Sequence, residues 1–130
     1  MDKDFGKLIE EAKKIAQKRI LTKYASCGHC GCALMTAKGN IYTGTSIYSK
    51  CNLGRCAEYG AIAEMLKHNE SEIKKIVSFS AKGVIYPPCG SCRELIRMVD
   101  DKNLETEVMI REDKICKLKE LLPEMFISKE

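Results

Sequence analysis

The stretch Cys56-Ala57-Glu58-Tyr59-Gly60-Ala61-Ile62-Ala63-Glu64-Met65-Leu66-Lys67-His68 reads as a helix, with Ala57, Ile62, Ala63, Met65 and Leu66 as its apolar positions. Ile73-Lys74-Lys75-Ile76-Val77-Ser78-Phe79-Ser80-Ala81 follows, rich in β-branched and apolar residues, and fits a strand. Upstream, residues 32–48 hold two apolar runs around Lys38-Gly39-Asn40, the pattern of a hairpin. Downstream, Pro87-Pro88 stops whatever precedes it, and Cys89 to Val99 reads as a further helix with Leu95, Ile96 and Val99 inward. Glu107 to Arg111 and Ile115 to Leu118 fit strands, and Lys119 to Met125 a last helical turn. At the start, Phe5, Leu8, Ile9, Ala12, Ile15, Ala16 and Ile20 recur every three or four residues, which predicts an amphipathic helix over residues 3–21. The order is helix, hairpin, helix, strand, helix, strand, strand, short helix. Strands alternating with helices predict an α/β fold around one mixed sheet. The 130 residues suit one domain, 1–130, without repeat or linker.

Charge narrows the partners. The 22 basic and 18 acidic residues are interspersed and leave a formal charge of only +4, which describes a solvated surface rather than a nucleic-acid track. No apolar run is long enough for a membrane span, and Met1-Asp2-Lys3-Asp4 opens on acids without an apolar leader core. The expectation is a cytoplasmic protein. In that reducing setting, eight cysteines point to metal binding or thiol chemistry before disulfides.

The chemistry concentrates in two places. Cys56-Ala57-Glu58 and Pro88-Cys89-Gly90-Ser91-Cys92 are separated by 29 residues, and each opens a predicted helix. Cys89 and Cys92 share one helical turn, and Pro88 suits a helix start. Two helix N-termini that converge would stabilise thiolate, and a zinc ion would do so directly. Cys56, Cys89 and Cys92 as ligands leave one tetrahedral position for water, as in catalytic zinc sites. Glu58 faces away from Cys56 on the helix and is free to lean over that open position. Arg55 and Arg93 adjoin ligands and are candidates to offset the thiolate charge.

Two other readings use the same cysteines. Cys27-Gly28-His29-Cys30 has the spacing of a thiol–disulfide site, although a strand rather than a helix follows it; a plain loop is the simpler reading. Cys27, Cys30, Cys89 and Cys92 together would make a structural four-cysteine zinc module without catalysis. Cys32 and Cys116 read as small core residues.

The two motifs resemble the zinc deaminase signature in its three-cysteine form, in which a glutamate that is not a ligand moves protons during attack at C4 of cytosine. From about Tyr24 to Phe126 the chain resembles the cytidine deaminase family, and within it the small all-cysteine branch that includes blasticidin-S deaminase. The turn Gly39-Asn40-Ile41-Tyr42-Thr43-Gly44, both cysteine motifs, and Leu121-Leu122-Pro123 with Phe126 stand in family order. The resemblance implies an α/β/α sandwich with a five-stranded mixed sheet, a homotetramer, zinc on Cys56, Cys89 and Cys92, and Glu58 as general acid and base. It implies a small aminated pyrimidine nucleoside as substrate, touched by the Ala57 backbone and with Phe126 near a neighbour's pocket. The interspersed charges, the absence of a basic channel and the lack of a long apolar run argue against membrane and nucleic-acid polymer as partners. At the asparagine and glutamate that hold ribose hydroxyls in the family, this chain has Ser46 and Tyr48. The tyrosine resembles the blasticidin-S branch, so a modified cytosine nucleoside is the alternative to cytidine or deoxycytidine. The family's base-packing aromatic is replaced near Gly28, and Tyr59 replaces the arginine after the Cys-Ala-Glu motif.

Overall fold

The computed structural model describes residues 2–130, so Met1 of the expected domain lies outside them. Helix α1 spans Lys3–Ile15, followed by β1 Arg19–Thr22, β2 Ala25–Thr36 and β3 Ile41–Ser49. Then come α2 Ala57–Lys67, β4 Ile73–Ser80, β5 Ile85–Tyr86, α3 Gly90–Val99, β6 Glu107–Arg111 and β7 Lys114–Lys117. A 3₁₀ turn at Leu118–Leu121 stands where the sequence predicts the last helical turn.

The twelve-residue β2 is the centre of the mixed sheet. Its one edge pairs antiparallel with β3; its other edge pairs first with β1 and then with β4. β4 in turn pairs antiparallel with the two-residue β5 and parallel with β6, and β7 closes the far edge. The five strands expected are present, and β1 and β5 are additions. β1 corrects the predicted extent of the first helix, which ends at Ile15 rather than residue 21. Arg19 and Ile20 instead pair with Cys27 and Ser26, and all four residues of β1 are exposed. The apolar spacing that suggested more helix at Ile20 gives way to backbone pairing with an otherwise open strand edge.

Alternation along the strands sorts the core into two layers. Phe5, Leu8 and Ala12 of α1 pack on Ala33, Met35, Val77 and Met109. On the opposite face Ala57, Ala61, Ile62 and Met65 of α2, with Ile96 of α3, cover Cys32, Leu34, Ile76 and Val108. The result is the α/β/α sandwich expected from the resemblance. Cys32 and Cys116 are buried core residues, as expected. Asn103 fixes the end of α3 to the sheet: it donates to the carbonyls of Ile96 and Ser71 and accepts from the Ile73 N–H at 2.7 Å.

One glycine sets the seat of α2. A Cβ on Gly44 would lie 2.3 Å from the Ala61 nitrogen and 2.4 Å from the Ala57 carbonyl oxygen. Strand β3 and the first turn of α2 therefore touch backbone to backbone, which fixes the height of Cys56 and Glu58 above the sheet. Gly44→Val should push α2 outward and cost about 2 kcal/mol of stability. Denaturant unfolding reads the loss, and zinc content of the purified variant should fall with it.

Candidate metal centre

Cys56 is the N-cap of α2 and Cys89 the N-cap of α3; Cys92 lies in the first turn of α3. Backbone pairing delivers each to its place. Arg55 forms a two-way bridge with Ile47 of β3, at 2.9 and 3.0 Å, so the strand pins the entry to α2. Pro88 precedes Cys89, and its carbonyl accepts a 2.8 Å bond from Arg93 Nε, which anchors the loop to its own helix. The two helix N-termini thus meet above the end of the sheet.

The sulfur of Cys89 lies 3.6 Å from that of Cys56 and 3.5 Å from that of Cys92. Three sulfurs about 2.3 Å from one tetrahedral zinc would sit about 3.8 Å from each other. The observed spacing is close to that edge, and the donor set fits zinc. Burial pushes the Cys92 thiol well up, and the nearby Glu58 charge adds to it. Burial also raises Cys56, with help from its bond to Cys89. At Cys89 burial acts in the same direction, but the Cys92 amide and the two neighbouring thiols outweigh it and the thiol is lowered. A cation is what would let all three ionise together.

Glu58 is buried, at 5% exposure, and its charge acts on all three cysteines and on Cys30 and Cys32. The structure therefore brings together the four residues that carry the predicted chemistry. Ala57, beside them, is also buried.

The other predicted site residues stand differently. Ser46 is buried, and its Oγ accepts the Cys30 N–H at 2.9 Å. Tyr48 is 53% exposed and stacks on His29, with ring centres 4.0 Å apart and planes 14° from parallel. Phe126 is exposed, with its N–H bonded to Glu94 of α3, and it does not line the cavity of about 420 Å³ that joins Tyr48 to Cys56. Arg93 bonds the carbonyls of Pro88 and Leu121, so it ties the tail to the ligand loop. Arg55 lies over the ring of Tyr59, whose hydroxyl is 2.6 Å from Ser91 Oγ between the two α3 cysteines. Neither the Tyr59–Ser91 link nor the His29–Tyr48 stack is legible in the sequence, since each joins residues brought close only by folding.

The Cys27–Cys30 segment is part of β2 and not a loop. Between Cys27 and Gly31 the pairing with β3 slips, and Gly28 takes φ +80° with the Gln17 carbonyl where its Cβ would be. Among the described residues, the group able to hold a metal is Cys56, Cys89 and Cys92; Cys27 and Cys30 are not in it. The four-cysteine module is therefore not formed. No helix follows the Cys27 motif either, which removes the setting of a thiol–disulfide site.

An α/β/α sandwich carrying a three-cysteine zinc-binding site defines a zinc-dependent hydrolase. Residues 3–107 match the family model described as the cytidine and deoxycytidylate deaminase zinc-binding region, and the chain belongs to that family. Solved structures share the fold. The cytidine deaminase of Mycobacterium tuberculosis superposes with a TM-score of 0.80 at 21% identity, covering 98% of this chain and 100% of that one. The enzyme from Burkholderia pseudomallei gives 0.72 at 25% identity over 93% and 98%, and that from Bacillus anthracis 0.70 at 20% over 93% and 88%. Among the described residues, no helix is long and apolar enough to cross a membrane.

Cys56→Ser should lose stoichiometric zinc, read by metal analysis of the folded variant, whereas Cys27→Ser should keep it. Because Cys56 and Cys92 have thiols raised by burial, metal uptake displaces protons, and zinc affinity should strengthen as pH rises and weaken as it falls.

Proposed function

We propose that this protein hydrolyses the exocyclic amino group of a cytosine-type nucleoside, cytidine or deoxycytidine, to give the uracil form and ammonia. The observation that carries this reading is the buried Glu58 carboxylate beside a three-thiol cluster at two helix N-termini. Cys56, Cys89 and Cys92 would hold zinc, which when bound lowers the pKa of a water and makes it a nucleophile at neutral pH.

The chain's own residues do the rest. Glu58 takes a proton from the attacking water and passes it to ring N3 as oxygen adds to C4. The second proton goes through Glu58 to the departing amino group, which leaves as ammonia, and the carboxylate is restored. Its burial keeps bulk water from competing for the proton. The Ala57 backbone at the start of α2 lies beside the ring. Ser46 holds the strand bulge through Cys30 and keeps its own hydroxyl hydrogen for a substrate oxygen.

A second reading has specific support. The positions that bind ribose hydroxyls in the family are here a serine already bonded to backbone and a tyrosine stacked on histidine. Neither offers a carboxylate. A modified cytosine nucleoside such as blasticidin S therefore stands as the alternative substrate. The exposed apolar residues Ile20, Leu53, Phe126 and Ile127 fit burial between copies in a homotetramer. A place in pyrimidine salvage in the cytoplasm, on free nucleosides rather than polymers, accompanies the first reading.

The test is an ultraviolet deamination assay of zinc-loaded protein against cytidine, deoxycytidine, cytosine and blasticidin S in parallel. Turnover of cytidine or deoxycytidine is the expected result; turnover of blasticidin S alone would transfer the proposal to the second reading, and turnover of none would remove it. Glu58→Gln should retain zinc and lose about 10²–10⁴-fold in kcat. Retained turnover in that variant would end the role given to Glu58.

A further inference from the structure

Tyr48 borders a second cavity, of about 310 Å³, whose lining includes Lys18, His29, Cys30, Lys82 and Tyr86. Its place follows from the strand register. Cys30 pairs with Ser80 at the cavity, and Cys32 pairs with Ser78 two residues further along the same face. The Glu58 charge acts on both Cys30 and Cys32. The cavity therefore opens about 7 Å along β2 from the Cys32–Ser78 pair, on the catalytic side of the sheet.

Its charge is one-sided. Lys18 and Lys82 line it, no carboxylate does, and neither lysine forms a salt bridge among the described residues. Both ammonium groups are near enough to His29 to add to burial in pushing its pKa down. His29 itself is fixed by the stack on Tyr48 and by Ser26 Oγ at 3.0 Å from Nε2, so the wall between the lysines and the site is set in place. In the deaminase reading C4 of the ring faces Glu58. The sugar-bearing N1 is on the opposite side of a six-membered ring, so the sugar and its 5′ substituent extend away from the thiols. Neutral Ser46 and Tyr48 stand where the family places ribose-binding groups, and two unpaired cations stand beyond them.

We infer that the Lys18–Lys82 cavity binds an anionic group, phosphate or carboxylate, carried on the sugar side of the substrate. This rests on the deaminase reading of the adjacent centre, and the experiment separates the two. Values of kcat/KM are measured for cytidine, cytidine 5′-monophosphate and cytidine 5′-carboxylic acid. Lys18 and Lys82 are exposed, and an anionic form should exceed cytidine by roughly ten-fold at low ionic strength, as two exposed ion pairs would give. The ratio should shrink at high salt. It should collapse in the K18A/K82A double variant but not in K114A, which removes an exposed lysine on β7. Phosphate ahead of carboxylate would identify a nucleotide, and the reverse order a carboxylated nucleoside. Preference for cytidine over both, or an unchanged ratio in K18A/K82A, would overturn the inference. If nothing is turned over, calorimetric binding of cytidine 5′-monophosphate and cytidine to zinc-loaded E58Q still decides it. Tighter binding of the phosphate that K18A/K82A abolishes would uphold the cavity while the deaminase reading falls; equal binding would reject the cavity.

Discussion

Three sulfur atoms within 4.8 Å of one another, with a buried carboxylate beside them, cannot all carry charge unaided. Each pair of like charges near 4 Å costs about 4 kcal/mol at the effective dielectric of a protein surface. The two helix N-termini offset part of that repulsion, and a divalent cation offsets the remainder. The centre therefore depends on holding α2 and α3 nose to nose, and much of the architecture does that work. β3 grips Arg55, Gly44 lets α2 settle on the strand, and Asn103 secures the far end of α3 to β4.

The long β2 strand serves both faces. Its regular half, from Gly31 onward, carries the core under α1 and under α2. Its irregular half bulges at Gly28, turns His29 onto Tyr48, and leaves the Cys30 amide for Ser46. Cys27 and Cys30, which lie at this irregularity, are not in the metal cluster. A sequence spacing that reads as a metal knuckle or a redox pair is, in the folded chain, the local shape of a strand beside a cavity lined by His29, Cys30 and Tyr48.

The surroundings of Tyr59 show how the two ligand-bearing helices are joined. Tyr59 reaches Ser91 between the α3 cysteines, so it ties the two ligand-bearing helices together where the family has an arginine. Arg55 lies over its ring, with the guanidinium 6.0 Å from the ring centre. Arg93 is occupied with the Pro88 and Leu121 carbonyls and anchors the tail. Of the two arginines weighed as charge partners, Arg93 holds the loop in place and Arg55 lies on Tyr59.

The chain's periodicity determined the order of helices and strands and the α/β class, because apolar residues recur at the spacing each element requires. Cys56, Glu58, Cys89 and Cys92 were legible too, since short motifs at helix starts fix which side chains share a turn. Tertiary structure decided what local pattern could not: β1 in place of a longer first helix, the bulge between Cys27 and Gly31, the His29–Tyr48 stack and the placing of Lys18 and Lys82 on one cavity. The physical reason is the same in each case. These features arise from pairing between residues distant in sequence, where strand register and the competition for backbone hydrogen bonds, rather than local propensity, select the outcome.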